Sequence, residues 1–313
     1  MANMKAVRIH DYGGPEALRY EDVPRPSPKD DELLVRVHAI GVNPVDWKVR
    51  SGFARKMLQV SMPVTLGGEI SGVVEQAGPG ASGFKAGDAV FGMLGLLGAY
   101  AQYVAVRPAL LAPKPSSLDH ITAASVPLAA LTAWQGLDAA GLAAGQRVLV
   151  HAAAGGVGGF AVQLARARGA HVIGTASAKN GEYVRGLGAQ QVIDYNSDAF
   201  ERAVTDVDVV IDLVGGTTAE RSVGVLKEGG ALVQITPGTP AVTQLAAERK
   251  VRLLPMRVSP NGAQLREIAA LIDSGRLRSS VAAVFPLAEA GKAHEQSATG
   301  HTRGKLVLNA LEG

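Results

Sequence analysis

The run His151-Ala152-Ala153-Ala154-Gly155-Gly156-Val157-Gly158-Gly159 most constrains the fold of this chain. It follows the strand-like Val148-Leu149-Val150-His151 directly and opens a helix-like segment from Val157 to Arg168. In that setting a glycine turn lets backbone approach a pyrophosphate at Gly155 and lets the helix pack close to the sheet at Gly158. The helix start offers unpaired N–H groups and a positive dipole end to the anion. Ala153 takes the first place of a G/A-x-G-x-x-G fingerprint; Ala154, Gly156 and Val157 complete the turn. Alone, the pattern also fits a tight strand–helix turn with no ligand. Five further strand-like runs follow it: Val172–Thr175, Val192–Tyr195, Asp208–Val214, Ala231–Ile235 and Val251–Leu254. They are near-continuous apolar stretches, the pattern of a parallel sheet covered by helices on both faces. The expectation is a doubly wound, Rossmann-type dinucleotide fold.

The end of the second strand bears on which dinucleotide. In this fold an Asp or Glu about 20 residues beyond the glycines bonds the ribose 2′-OH of NAD. Here the place falls at Ala176, followed by Ser177-Ala178-Lys179. No acid repels a 2′-phosphate, while Ser177 offers a hydrogen bond and Lys179 a positive charge. Tyr195, ending the third strand, adds a hydroxyl. The expected cofactor is NADPH.

The segments on either side differ in character. Up to residue 123 the chain is β-rich, with strand-like runs at Ala6–Ile9, Leu33–Ile40, Glu69–Gln76, Ala89–Phe91 and Tyr100–Val106. Gly, Pro and Asp punctuate them closely, as in a small barrel or sandwich. An Ala/Leu-rich stretch, 123–142, reads as one helix. Beyond the sixth Rossmann strand come a helix (Gly262–Ser274), a strand (Val281–Phe285), a helix (Leu287–Gln296) and a last strand (Lys305–Leu308). The absence of cysteine rules out disulfides, Cys-ligated zinc, iron–sulfur clusters and a thiolate nucleophile. The net charge is +3 with Lys and Arg scattered, which argues against nucleic acid. No signal-peptide pattern opens the chain. The longest apolar stretches, such as Ala123–Trp134, are short of a membrane span. A soluble cytoplasmic protein is the expectation.

Many blocks in order resemble the zinc-independent quinone oxidoreductases of the medium-chain dehydrogenase/reductase superfamily. They include Gly41-Val42-Asn43-Pro44-Val45-Asp46-Trp47-Lys48, Gly67-Gly68-Glu69-Ile70-Ser71-Gly72, Gly87-Asp88-Ala89-Val90-Phe91-Gly92, Gly98-Ala99-Tyr100-Ala101-Gln102-Tyr103, Ala130-Leu131-Thr132-Ala133-Trp134 and Arg303-Gly304-Lys305-Leu306-Val307-Leu308. The Asn-Pro-Val-Asp-Trp-Lys block looks most like members that reduce enones and alkenals. The resemblance implies an α/β chain with a GroES-like β-barrel catalytic domain from both chain ends (1–123 and 260–313) and a Rossmann domain at 124–259. It also implies a catalytic cleft between the domains and a homodimer. Relative to the zinc alcohol dehydrogenases of the superfamily, Asn43 stands at the catalytic Cys and Gly68 at a ligand His. Asp46 and Glu69 persist, a poor zinc set by themselves.

Without a metal, the fitting acceptors are quinones and α,β-unsaturated carbonyls. Hydride delivered to them leaves charge delocalised over the acceptor, and a few hydrogen-bond donors hold it. The candidate donors are Asn43, which the resemblance places near the nicotinamide ribose and the substrate, and Lys48, with Tyr100 as a further proton donor. Many family members have Tyr where this chain has Lys48; its bland reading is a surface lysine paired with an acid. The resemblance puts Thr132 at the nicotinamide end, and Ile235 and Thr236, after the fifth strand, are expected to flank the ring. Met93–Leu97 reads equally as a pocket wall or as core, and His151 as structural. The alternative is a cofactor-binding structural or regulatory protein with little turnover, crystallin-like or RNA-binding.

Overall fold

The computed structural model describes residues 2–55 and 58–312. The chain divides into two compact units, residues 1–128 with 259–275 and 279–313, and residues 129–258 with 276–278.

The first unit begins with β1 (Asn3–Ile9), β2 (Leu18–Pro24) and β3 (Leu33–Val42), then helix α1 (Pro44–Arg50). There follow β4 (Val64–Thr65), β5 (Glu69–Ala77), β6 (Ala89–Met93), β7 (Tyr103–Val106), β8 (Leu111–Pro113) and helix α2 (His120–Ala124). Helix α3 (Pro127–Ala140) leads into the second unit, which holds β9 (Arg147–Val150), helix α4 (Gly156–Ala167), β10 (His171–Ala176), β11 (Gln191–Asp194), β12 (Val207–Asp212), β13 (Leu226–Gln234) and β14 (Arg252–Pro255). The last strands, β15 (Val281–Pro286) and β16 (Lys305–Asn309), return to the first unit.

In the first unit, described strands form a sheet in the order β15-β16-β3-β5-β6-β8, with β7 also paired to β3, and a smaller sheet β2-β1-β4. Strand β3 is the hub. It pairs antiparallel with β5 and β7, and β16 joins it with Leu306 opposite Val42. Its alternate side chains Leu33, Val35 and Val37 enter one apolar core with Ile70, Val74, Val90 and Leu308. Because β16 pairs with β3 and β3 with β5, the start of β16, the end of β3 and the start of β5 meet at one edge.

The second unit carries one sheet in the order β11-β10-β9-β12-β13-β14, every pairing parallel. Sequential strands run outward from β9 to one side and from β12 to the other, so the order reverses between them. That reversal is where open α/β sheets bind ligands, beyond the carboxyl ends of the strands. Leu149, Val210 and Leu232 are wholly buried in its core.

Local chemistry moves several boundaries from their sequence-based positions. The helix read over 123–142 is two, α2 and α3, with Ser125 and Val126 between them. Pro127 has no N–H to continue the first helix but suits the first turn of the next. The strand read through Val214 stops at Asp212, whose Oδ1 accepts from the N–H groups of Val214 and Gly215 and turns the chain. The strand read from Tyr100 begins at Tyr103; just before it, Tyr100 O accepts from Val7 N. Strands β2, β4 and β8 and helix α1 lie where no element was read. Among the described residues no helix is long and apolar enough to cross a membrane. Leu232→Ala would leave a cavity in the middle of the parallel sheet and cost about 2–5 kcal/mol. Urea unfolding followed by circular dichroism checks this as a lower midpoint.

Candidate active site

Asn43 follows β3 and caps α1. Its backbone is extended, Pro44 takes the first helical place, and Asp46 is the acid of the first turn. That is an N-cap, N1 proline and early carboxylate in sequence, a strong local start signal. Asp46 Oδ2 accepts from Asn43 N at 2.8 Å, which fixes the chain as it leaves the strand.

Around this junction lies a buried polar network. Lys305, the first residue of β16, donates to Val42 O (3.0 Å), Glu69 Oε1 (2.8 Å) and Asn43 Oδ1. Asn43 Nδ2 donates to the same Glu69 Oε1 at 2.8 Å. Glu69 Oε2 accepts from Leu128 N at 2.7 Å, near the start of α3, where the helix dipole favours a carboxylate. Glu69 is 0% and Lys305 5% exposed. Removing one member of such a pair strands the other charge, at about 3–5 kcal/mol.

A second branch runs from Asp46. Tyr100 donates its hydroxyl to Asp46 Oδ2 at 3.0 Å, and His294 Nε2 lies 3.0 Å from the same hydroxyl oxygen. Arg50 Nη1 faces His294 Nδ1 at 3.5 Å. A guanidinium only donates, so Nδ1 accepts and Nε2–H donates to Tyr100. His294 is therefore neutral, and burial with Arg50 beside it holds its pKa down to about 3. Burial pushes Asp46 up to about 7, against the lowering effect of its hydrogen bonds from Asn43 and Tyr100. Among the described residues Asp46 Oδ1, buried, has no partner.

The site does not fit a catalytic zinc. A Cβ at Gly68 would lie 2.3 Å from Gly95 O, so no ligand side chain fits there. The Lys305 ammonium, a cation already, lies against Asn43 and Glu69. Among the described residues no group of three or more His, Asp or Glu is placed to hold a metal.

In the second unit the candidate cofactor residues stand on the carboxyl edge of the sheet. Gly155 caps α4 with extended backbone and no side chain caps the helix, so its first N–H groups face outward without a side-chain partner. A Cβ at Gly158 would meet Ala152 O at 2.2 Å, so only glycine allows α4 to start this close to the turn. Ser177, half-buried, and Lys179, exposed, follow β10. Tyr195, 51% exposed, follows β11. Ile235 and Thr236 follow β13, Ile235 N donating to Asp212 O and Thr236 Oγ1 to Asp212 Oδ2. Thr132 is buried on α3. His151 receives Thr175 Oγ1 on Nδ1 and donates from Nε2 to Ser222; burial holds it near pKa 3, so it is a neutral strut.

Of the residues expected to do chemistry, Asn43 is 4% exposed, its Oδ1 accepting from Lys305 and its Nδ2 donating to Glu69. Tyr100 is 0% exposed, its hydroxyl sealed between Asp46 and His294, so it faces no acceptor. Lys48, half-buried on α1, carries its Nζ 5.6 Å from the Trp47 ring centre and reaches no carboxylate among the described residues. The bland reading of Lys48 as partner of an acid therefore fails. Sequence reasoning missed Arg50, His294 and Lys305, which join the buried polar network, and Gln234 in the second unit. Gln234, at the end of β13, has a buried Nε2 without a partner among the described residues. For Lys305, the one available signal is a lysine opening an otherwise apolar final strand.

Asp46 binds its proton more tightly folded than unfolded. Its contribution to stability is present below about pH 4 and is lost as pH rises through about 7. Asp46→Asn therefore flattens the pH dependence of unfolding between pH 5 and 8 relative to the wild type. Parallel urea titrations at the two pH values measure the difference, and equal slopes would contradict the assignment.

Two family models match the chain, the alcohol dehydrogenase GroES-like domain over residues 29–116 and the zinc-binding dehydrogenase model over residues 187–308. The chain is 33% identical to the Arabidopsis thaliana chloroplast envelope quinone oxidoreductase homolog, over 97% of this chain and 98% of that protein. It is 34% identical to the 2-methylene-furan-3-one reductase of Solanum lycopersicum, over 99% of this chain and 80% of that protein. Among solved structures, the Coxiella burnetii quinone oxidoreductase superposes with a TM-score of 0.92 at 38% identity, covering 99% of this chain and 100% of that one. The Escherichia coli quinone oxidoreductase complexed with NADPH gives 0.89 at 31%, covering 97% and 99%. With likeness at that level over nearly its whole length, and with both a GroES-like domain and a six-stranded Rossmann sheet, the chain belongs to the quinone oxidoreductase family of the medium-chain dehydrogenase/reductase superfamily.

Proposed function

We propose that this protein is an NADPH-dependent reductase of quinones or α,β-unsaturated carbonyls. The observation that carries the cofactor half is the uncapped start of α4, walled by Gly158, at the carboxyl edge of the parallel sheet. The relative solved with NADPH supports the same reading. Gly155, Gly156, Val157 and Gly158 would hold the pyrophosphate through backbone N–H groups, with Ala154 leading in. Ser177 and Lys179 would take the 2′-phosphate, and Tyr195 would border it. Ile235, Thr236 and Thr132 would lie towards the nicotinamide, and the orphaned Gln234 Nε2 is a buried donor at the same edge. Bound NADPH supplies the hydride.

The acceptor half rests on the first unit. With the network shaped around an ammonium rather than a metal, the acceptor has to carry much of the developing charge by its own conjugation. Quinones and enones do this, and the relatives include both a quinone oxidoreductase homolog and a furanone reductase. Asn43 donates to the acceptor oxygen. Lys48, whose ammonium has no acidic partner among the described residues, polarises the carbonyl or returns a proton. Tyr100 holds Asp46 and delivers no proton, because its hydroxyl is committed within the protein.

Purified protein mixed with NADPH and a panel of quinones and enones should oxidise the nicotinamide, followed by its absorbance. Binding of NADPH without oxidation by any acceptor would overturn the reading in favour of a cofactor-binding protein without turnover. Ser177→Ala with Lys179→Gln should raise the KM for NADPH about tenfold, the worth of a charge-assisted hydrogen bond, and leave that for NADH nearly unchanged. Lys48→Met should lower kcat about tenfold or more while sparing the KM for NADPH.

A further inference from the structure

We infer that Lys305 is a positioning residue: its buried ammonium fixes which way the Asn43 carboxamide faces, and so which atom Asn43 presents to the acceptor. The inference rests on the reading of Asn43 as the acceptor's hydrogen-bond donor. Three hydrogen bonds close a ring. Asn43 Nδ2 donates to Glu69 Oε1, Lys305 Nζ donates to the same oxygen, and Lys305 Nζ donates to Asn43 Oδ1.

The two ends of a carboxamide have nearly the same shape, so sterics alone do not choose between them. The ring does. Flipping Asn43 would turn its N–H groups against an ammonium that can only donate and its oxygen against a carboxylate that can only accept. Both contacts would become repulsive among side chains this little exposed. Lys305 is itself held, with Val42 O taking its remaining hydrogen at 3.0 Å. The backbone of Asn43 is fixed separately by Asp46 Oδ2. What remains of Asn43 is its second Nδ2 hydrogen, which has no acceptor among the described residues. In the fixed orientation that hydrogen, and not Oδ1, is what a substrate oxygen meets.

The position of Lys305 in the chain adds a second aspect. It opens the last strand, 262 residues from Asn43. Pairing of β16 with β3 sets Leu306 opposite Val42 and so delivers the ammonium to the junction. A register slip of one residue would carry it to the other face of the sheet. The orientation of Asn43 is thus conditional on correct docking of the chain's end.

The test separates positioning from simple neutralisation of Glu69. Lys305→Met leaves Glu69 buried and unpaired, so that variant alone could lose activity by failing to fold. The double variant Glu69→Gln with Lys305→Met removes both charges and should return the thermal midpoint towards the wild type. No ammonium then selects the Asn43 orientation, and the carboxamide introduced in place of Glu69, with a donor and an acceptor, can pair with Asn43 either way round. We expect kcat to stay down about tenfold or more in the double variant, with the NADPH dissociation constant, read by tryptophan fluorescence, within about threefold of the wild type. The Asn43 side-chain amide, followed by nitrogen-15 NMR, should give one set of signals in the wild type and two, or an exchange-broadened set, in the double variant. Recovery of kcat together with stability, or one unchanged amide set, would overturn the inference. The amide signals report even if the wild type reduces no acceptor, so failure of the proposed activity and failure of this assignment are read separately.

Discussion

The Glu69–Lys305 pair is the interaction on which the first unit's site depends. Two opposite charges with 0% and 5% exposure sit 2.8 Å apart, and every hydrogen-bonding atom of the pair has a protein partner. A buried ion pair is weak evidence for stability, since desolvating both charges offsets much of their attraction. Its effect here is geometric. It joins the first residue of β5, the first of β16 and the residue after β3, three points far apart in sequence, and it leaves Asn43 a single orientation.

The second branch has the opposite electrostatic character. Arg50, His294, Tyr100 and Asp46 pass donors in one direction towards the N-terminus of α1, with His294 neutral and Asp46 close to the point of holding its proton. Helix α1 is only seven residues long and would not persist alone. The chain of side chains behind it supplies what propensity does not, and it draws on His294 from the C-terminal segment. Both branches therefore make the first unit's polar network depend on the segment that holds His294 and Lys305.

The parallel sheet and its glycine turn were legible because their causes are local. Continuous apolar runs, a strand–turn–helix glycine pattern and an alanine at 176 all sit within short stretches, and the steric need for glycine at 158 is met by Ala152 in the same turn. The break before Pro127 and the end of the strand at Asp212 were equally local but were hidden by favourable neighbours, an Ala/Leu-rich run in one case and Leu213-Val214 in the other. The reading of Tyr100 as a proton donor went astray for another reason. Its residue type suits the task, and only packing shows that its hydroxyl is already engaged on both sides.

By itself the sequence determined the class of fold and the glycine turn that opens α4, because each follows from residue type and spacing over a few residues, while the family resemblance marked Asn43 and Gly68 as places where zinc ligands are lost. Tertiary structure decided what stands near those lost ligands. A lysine opening the last strand carries no sign of its purpose until β16 pairs with β3 and sets its ammonium against Glu69 and Asn43. That placement depends on strand register across the whole chain, and no local pattern encodes it.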